Sequence, residues 1–306
     1  MNDAKTKSGG ATRPARPVWQ SSRTIGLAII FLTYILALLV GLIIFDRLSY
    51  SLWLSLLLAD IAATLIVWLS SLVFDNASVY DPYWSVQPVI ILDLLLFQAG
   101  LTDPAAVSIC LVVNLWGVRL TANWITTFRS LEHQDWRYDL IKSKTNQFYP
   151  LASLLGIQLM PTLVVYACII PAVFFLEQAQ TGRFNVLSIA GLVVSSTGLI
   201  LETLADRQMH VFRSKNPDRS RVNRNGLWHD SRHPNYLGEI LMWWGVYLVM
   251  LSALPEVWYL GLGALLNTAM FLFISIPMAE NNLASYKENY AAYQKQTRML
   301  LPLPKK

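Results

Sequence analysis

Apolar residues in this chain come in blocks of about 20, the length a helix needs to cross the roughly 30 Å hydrocarbon core of a bilayer. The eight blocks are 25–45, 52–74, 86–101, 105–127, 152–176, 184–204, 236–254 and 257–279. The third is short and contains Pro88 and Asp93, and Pro277 lies near the end of the eighth, so the predicted range is seven to nine spans. No strand-period alternation recurs, which argues against a β-barrel. The sequence predicts an all-α, polytopic transmembrane helical bundle of about eight spans.

Composition supports a membrane protein over a soluble one. Only 14% of the residues are charged and 54% are hydrophobic, whereas a water-soluble domain carries roughly 25% charged residues. Both cysteines, Cys110 and Cys168, lie inside apolar blocks. Because no further ligands stand beside them, they predict small buried side chains and no metal site.

The lysines and arginines orient the predicted bundle. If eight spans alternate, 21 of the 24 Lys and Arg residues fall on one side, Arg47 and Arg183 fall on the other, and Arg119 lies within a span. This bias follows the positive-inside rule, which predicts cytoplasmic N- and C-termini. The predicted cytoplasmic segments are 75–85, 128–151, 205–235 and 280–306.

Domain organisation and partners follow from this topology. Residues 1–23 hold five cations among Gly, Ser, Ala and Pro without a signal-peptide cleavage site, which predicts a disordered cytoplasmic tail. Residues 24–306 predict a single transmembrane domain. The cations are foremost an orientation signal, so membrane lipids are expected partners and nucleic acid is not. The predicted location is the inner membrane in a bacterium or the endoplasmic reticulum in a eukaryote, and the oligomeric state stays open.

Ionisable residues inside the predicted spans are candidates for function, because burying them in a bilayer is costly. Three carboxylates, Glu202, Glu239 and Glu280, fall near the predicted cytoplasmic ends of their spans and together predict a site. For a second set the structural interpretation, pairing within the bundle, is favoured over a functional one. This set is Asp60, Asp93 and Arg119.

The most informative segment runs from Glu202 to Glu239. Glu202 and Asp206 are four residues apart and Arg213 is seven further, so the three share one helical stripe. An arginine-flanked helix start follows at Arg232-His233-Pro234-Asn235-Tyr236, and such a start favours anions. The combination predicts a phosphate-rich nucleotide cofactor. No glycine-rich Rossmann or Walker pattern occurs, so the nucleotide is not held in the way soluble domains hold it.

Three stretches resemble the DUF1295 family, which is related to the C-terminal domain of steroid 5α-reductases and, more distantly, to isoprenylcysteine carboxyl methyltransferases. The first is 226–239, with Gly-Leu-Trp followed by Ser-Arg-His-Pro-Asn-Tyr-Leu-Gly-Glu. The second is 76–84, with Asn-Ala-Ser followed by Asp-Pro-Tyr-Trp, and the third is 277–302, with Tyr-x-x-Tyr, Thr and Pro in order. Together the three stretches extend the resemblance over most of the chain.

The resemblance implies a membrane-embedded reductase that binds NADPH at its cytoplasmic mouth. Hydride would reach the β-carbon of a conjugated enone in an apolar lipid or steroid-like substrate, with the cofactor carrying the difficult step. The implied cofactor-binding residues are Glu202, Asp206, Arg213, Arg232, His233, Asn235, Tyr236, Glu239 and Tyr286. The animal reductases polarise the carbonyl with a Tyr and a Glu from earlier spans, and span four here lacks a clear Tyr. Asp81 and Tyr83, together with Glu239, are therefore the expected catalytic residues.

Two other functions stay open. Methyltransferases that use S-adenosylmethionine share Arg-His-Pro-x-Tyr-x-Gly and a Glu near the last span, here Glu280, but the carboxylate of Glu239 directly after the glycine favours the reductase branch. A non-catalytic lipid or sterol binder would keep the scaffold and lose the cofactor groups. His229 and His233 are spaced for a metal, but the surrounding arginines repel cations, so no metal is expected.

Overall fold

The computed structural model describes residues 18–100, 103–178 and 185–302, and these are helical with no strand among them. The α-helices are α1 (Arg23–Arg47), α2 (Leu52–Val73), α3 (Tyr83–Ala99), α4 (Pro104–Thr127), α5 (Trp136–Thr145), α6 (Tyr149–Ala152), α7 (Met160–Gln178), α8 (Val186–Lys215), α9 (Leu227–Asp230), α10 (Pro234–Ala253), α11 (Leu262–Met270), α12 (Ile276–Tyr286) and α13 (Tyr290–Gln296). Short 3-10 helices occupy Val18–Ser21, Ala77–Val79, Asn146–Phe148 and Pro255–Gly261. Two π-helical turns, Ser153–Leu159 and Phe271–Ser275, join α6 to α7 and α11 to α12. The predicted all-α fold is confirmed.

Helical structure begins before the predicted end of the N-terminal tail at residue 23. Residues 1–17 of that tail lie outside the described residues, whereas Val18–Ser21 form a 3-10 helix. Ser22 then caps α1 by accepting a hydrogen bond from the backbone N–H of Ile25 at 3.4 Å, which satisfies one of the donors left free at a helix start. Trp19 packs edge-on against Phe74 with ring centroids 6.0 Å apart. These contacts hold the entry to the first span in place.

Within the described residues, seven helical segments are long and apolar enough to cross a membrane, and α3 supplies a shorter eighth. It runs antiparallel to α4, with Ser85 bonded to Thr121 at 2.9 Å near one end and Asn114 bonded to Asp93 at 2.7 Å nearer the other. Because α3 is bonded to α4 along about half of its length, from Ser85 to Asp93, we infer that it enters the bilayer beside α4. The chain is therefore a multi-pass integral membrane protein.

The connections predicted to be cytoplasmic contact one another in pairs. The Asn76 side chain donates to the carbonyls of Leu131 and His133, at 2.7 and 3.1 Å. The backbone N–H of Arg232 donates to the carbonyl of Arg298 at 2.9 Å. Each pair of predicted segments therefore shares one membrane face, as an even number of crossings requires.

Large apolar side chains cover the outside of the bundle. Phe97 is 83% exposed and Phe273 is 77% exposed, and in a bilayer such side chains contact lipid tails rather than water. The main core lies between α3, α4, α7 and α10, where Trp116, Trp243 and Met242 are almost completely buried.

Helices α8 and α10 touch through their backbones. A Cβ atom added at Gly238 would lie 2.6 Å from both the Glu202 Cβ and the Gly198 carbonyl oxygen, and one added at Gly245 would lie 2.4 Å from the Ser195 nitrogen. Small residues at helix crossings allow this close approach in membrane proteins. The crossing brings Glu202 of α8 directly beside the α10 turn that carries Glu239.

Candidate functional site

A buried ion-pair cluster lies where α4 meets α8. Arg119 of α4 forms ion pairs with Glu202, at 2.5 Å between Nη2 and Oε1, and with Asp206, at 2.9 Å between Nη1 and Oδ2. The two carboxylates stand on the same face of α8 because they are four residues apart. Only 6% of the Glu202 side chain and 15% of the Arg119 side chain are exposed. One cation thus pairs with two carboxylates, of which Glu202 is the more deeply buried.

Glu239 lies next to this cluster in an indole cage. Its Oε2 accepts a hydrogen bond from Trp116 Nε1 at 2.7 Å, and its Oε1 accepts one from Trp243 Nε1 at 2.8 Å. Trp243 follows Glu239 by one turn of α10, and Trp116 reaches it from α4, with the two rings packed edge-on at 4.9 Å. Glu239 is 2% exposed. The cage fixes the position of the carboxylate and leaves each oxygen able to accept another bond.

The cluster has hydrogen-bonding capacity that the described residues do not use. Glu202 Oε2 and Arg119 Nε are buried without a hydrogen-bond partner among them. The Arg119 Nη2–Glu202 contact is a close ion pair but not an aligned hydrogen bond. The Asn235 side chain lies close to the Asp206 carboxylate. Of the predicted cofactor residues, Glu202, Asp206, Asn235 and Glu239 are therefore brought together.

Two predicted cofactor residues lie at the surface beyond this cluster. Arg213 is exposed in the last turn of α8, and Tyr286, at the end of α12, is 46% exposed. Lys287 stands over the Tyr286 ring at 5.5 Å. Burial lowers the pKa of the Lys287 ammonium, and the nearby Arg213 guanidinium lowers it further. The cations here repel one another, so this surface favours an anionic ligand.

Arg232 and His233 take part in an internal latch, which we define as Arg232, His233, Glu280 and Gln294. Glu280 Oε1 is bonded to Arg232 Nε at 2.7 Å and to His233 Nε2 at 2.9 Å, and its Oε2 accepts from Gln294 at 2.8 Å. His233 stacks on Tyr236 with centroids 5.2 Å apart. The latch ties the chain after α12 to the start of α10. Glu280, which the sequence grouped with Glu202 and Glu239, thus has its hydrogen-bond partners in the latch. Cofactor binding by Arg232, His233 and Tyr236 stays a prediction.

Asp81 and Tyr83, the expected carbonyl-polarising pair, have different partners. Asp81 Oδ1 accepts from the Tyr138 hydroxyl at 2.5 Å, and burial raises the pKa of the Asp81 carboxyl to about 6. The Tyr83 hydroxyl instead donates to Asp60 Oδ1 at 3.0 Å. Asp60, for which the sequence favoured a structural role, is therefore the carboxyl group that stands beside Tyr83.

The Tyr83–Asp60 pair lines a cavity of about 100 Å³ between α1, α2 and α3, and this cavity is open on one side. The walls are mainly apolar, with Leu38, Leu42 and Phe45 from α1 and Ile90, Ile91 and Leu94 from α3. Asp60 is 4% exposed and its Oδ2 has no hydrogen-bond partner among the described residues. The arrangement suits an apolar molecule that carries a polar group.

Two tryptophans connect the wall of this cavity to the ion-pair cluster. Trp84 follows Tyr83 in the chain and packs edge-on against Trp116 at 5.7 Å, and Trp116 is the residue that donates to Glu239. The cavity and the polar cluster are therefore connected through the indoles of α3 and α4. Such an arrangement can place an apolar molecule and a polar one next to each other.

Sequence reasoning missed Trp116 and Trp243 as hydrogen-bond donors to Glu239. It favoured structural pairing for Arg119, which agrees with the ion pairs in the structure, but it did not name Glu202 and Asp206 as the partners. A usable signal existed for Arg119. It is the single cation of the α4 block, and the Glu202–Asp206 stripe requires a counter-charge inside the membrane. No comparable signal identified the tryptophans, because indoles in a membrane helix are more often anchors or core residues.

The fold and site define a class, the polytopic helical membrane proteins with a buried polar site inside the bilayer. The chain belongs to the DUF1295 family, described as proteins of unknown function, whose model matches residues 67–297. An uncharacterized protein of Schizosaccharomyces pombe is 25% identical over 209 residues, which are 60% of this chain and 60% of that protein. The match thus leaves two fifths of that relative unaligned. No solved structure matches significantly.

Proposed function

We propose that this chain is an integral membrane oxidoreductase that uses NADPH to reduce a carbon–carbon double bond conjugated to a carbonyl, in an apolar lipid or steroid-like molecule. The observation that carries the proposal is the buried Tyr83–Asp60 hydrogen bond inside a mainly apolar cavity. Because the Tyr83 O–H is donated to Asp60 Oδ1, a carbonyl oxygen in this cavity would accept its hydrogen bond from a proton carried on the unpaired Oδ2 of Asp60. That bond draws electron density from the conjugated double bond and prepares its β-carbon for attack.

The residues of the polar cluster fit NADPH. Glu202 Oε2 and Arg119 Nε are buried without partners, and a nucleotide offers amide and hydroxyl groups that pair with such atoms. Glu202, Asp206, Asn235 and Glu239 would hold the polar portion, and the exposed Arg213 would meet the phosphates. When bound, NADPH would supply hydride to the β-carbon, and the resulting enolate would take a proton at the α-carbon. The protein residues orient both partners, exclude water and position the carbonyl.

The first test asks which nucleotide binds. The protein in detergent is titrated with NADPH, NADH and S-adenosylmethionine while the melting temperature is followed. We expect stabilisation by NADPH that is lost in Glu239→Gln and Arg213→Ala, because ligand stabilisation grows with the logarithm of ligand concentration over Kd and vanishes when binding is lost. Arg47→Ala is the matched control, since this exposed arginine ends α1 on the opposite face.

Each alternative outcome has a meaning. Stabilisation by S-adenosylmethionine alone would replace the reductase by a methyltransferase. No response to any of the three nucleotides would leave a non-catalytic lipid or sterol binder.

The second test measures turnover with cholestenone and a linear long-chain enal, by loss of NADPH absorbance. Tyr83→Phe and Asp60→Asn should lower kcat by roughly 10²–10³-fold, the usual cost of one oxyanion-stabilising donor. Asp93→Asn is the matched control on α3, because Asp93 bonds to Asn114 and lies outside the cavity lining. Asp81→Asn should retain most activity. If Asp81→Asn abolishes turnover and Tyr83→Phe does not, the Tyr83–Asp60 assignment is wrong.

A further inference from the structure

Gln87 is a buried amide for which the protein supplies no partner. It lies on α3 one turn after Tyr83, is 5% exposed, and lines the cavity. Neither its Nε2 nor its Oε1 has a hydrogen-bond partner among the described residues. Exchanging the amide oxygen and nitrogen would not change this, since both atoms lack partners. A buried polar group left unpaired is costly, so its presence in an apolar wall needs an explanation.

The cavity lining shows where a ligand would place its polar end. Tyr83, Gln87, Ile91, Leu94 and Gln98 all line it from one face of α3, a stripe that rises about 22 Å at 1.5 Å per residue. The Tyr83–Asp60 pair and Gln87 mark the end nearest the start of α3. Beyond Gln87 the lining from α1 and α3 is apolar until the exposed Gln98 at the other end. A flat or linear lipid lying along α3 would therefore put its polar end at Gln87 and its hydrocarbon body beyond.

The chemistry of an amide determines which polar group fits. The Nε2 donates and the Oε1 accepts, so full pairing needs a group that does both. A hydroxyl does both, whereas a ketone, ester or ether only accepts. We propose that Gln87 is a specificity-determining residue that selects neutral apolar lipids whose polar end carries a hydroxyl group. The inference rests on the proposed function only in taking the cavity as the lipid site, and it does not require the reaction. A substrate that satisfies both would carry a hydroxyl group at Gln87 in addition to the carbonyl at the Tyr83–Asp60 pair.

The test measures equilibrium binding in detergent without any nucleotide. The probes are two matched pairs, cholesterol with its methyl ether and oleyl alcohol with its methyl ether. The members of each pair share the apolar body and differ in the hydroxyl proton. We expect the wild type to bind at least one alcohol about tenfold more tightly than its ether, the effect of one hydrogen bond to a buried neutral group.

Two variants assign that preference to Gln87. In Gln87→Leu the alcohol and the ether should bind within about twofold of each other, and the ratio between variant and wild type cancels the added bulk of the methyl group. Gln98→Leu is the matched control, with the same substitution on the same stripe, and should keep the preference. In the absence of ligand, Gln87→Leu should melt no lower than the wild type, because it removes an unpaired buried amide. A Gln87 with a purely structural role would instead lower the melting temperature.

The outcomes separate this inference from the proposed function. If Gln87→Leu keeps the alcohol preference, if Gln98→Leu also loses it, or if neither alcohol binds better than its ether, the inference is overturned, whatever happens to enone reduction. If the Gln87-dependent preference is found and no enone is reduced, the inference stands and the reductase proposal falls. If an enone is bound and reduced but no alcohol preference is found, the reductase proposal stands and the inference about Gln87 falls.

Discussion

Replacing Arg119 by methionine tests the central cluster, because it removes the cation that pairs with both Glu202 and Asp206. Glu202 has 6% of its side chain exposed and Asp206 has 23%. Breaking a buried ion pair by deleting one partner costs roughly 3–5 kcal/mol. The partial exposure of Asp206 lets water recover some of the loss, so we take about 3 kcal/mol. For a chain of this size about 2 °C is lost per kcal/mol, which gives a melting temperature lower by about 6 °C.

The assay is thermal unfolding in detergent followed by tryptophan fluorescence. Adding Glu202→Gln to Arg119→Met should restore about half of the lost stability, because the stranded charge is removed. Arg221→Met is the matched control: its ion pair with Asp218 is 4.0 Å long and exposed, and its loss should shift the melting temperature by about 1 °C or less. The reasoning is refuted if Arg119→Met melts within about 1 °C of the wild type, or if adding Glu202→Gln lowers the melting temperature further.

Three further predictions concern packing, pH and the latch. Gly238→Ala should cost about 1–3 kcal/mol because its Cβ would meet helix α8 backbone, whereas Gly156→Ala, with open space around the new atom, should leave the melting temperature unchanged. Because the pKa of Asp81 is raised by burial to about 6 in the folded protein, the native state binds the proton more tightly than the unfolded state, and stability should fall as pH rises from about 4 to 6. Asp81→Asn should flatten that part of the melting-temperature profile, and an unchanged slope would contradict the assignment. Glu280→Gln should loosen the latch and speed tryptic cleavage after Lys295, and equal cleavage rates would show that the latch does not hold this segment.

The fold was predictable because lipid imposes its dimensions on the sequence. Blocks of apolar residues fixed seven spans directly, since each helix must satisfy its own backbone hydrogen bonds in hydrocarbon. The remaining span, α3, corresponds to the third predicted block and was harder to predict because it has 17 residues and Pro88 in its interior. Its place as a span follows from side-chain bonds to α4, and such tertiary contacts leave no periodic signal in the sequence.

The site was predictable only where its residues are neighbours on one helix. Glu202 and Asp206 share a stripe of α8 and were recognisable from their spacing. The Asp60–Tyr83 bond joins two helices through a tertiary contact, and sequence spacing gave no reason to prefer Asp60 over Asp81. Arg232 lies within a recognised motif, yet its side chain bonds Glu280, 48 residues away. A motif therefore identified the region but not the partners.

The contact between the α8 and α10 backbones also bears on how a lipid could enter. Because α8 and α10 touch without intervening side chains, we expect them to move as one rigid unit that carries Glu202 and Glu239. Helix α1, by contrast, has large side chains such as Phe31 and Leu32 turned outward at 65% and 63% exposure, and it forms one wall of the cavity. We therefore expect a lipid to enter the cavity from the bilayer by passing α1. Entry on this side would leave the geometry around Glu202 and Glu239 unchanged.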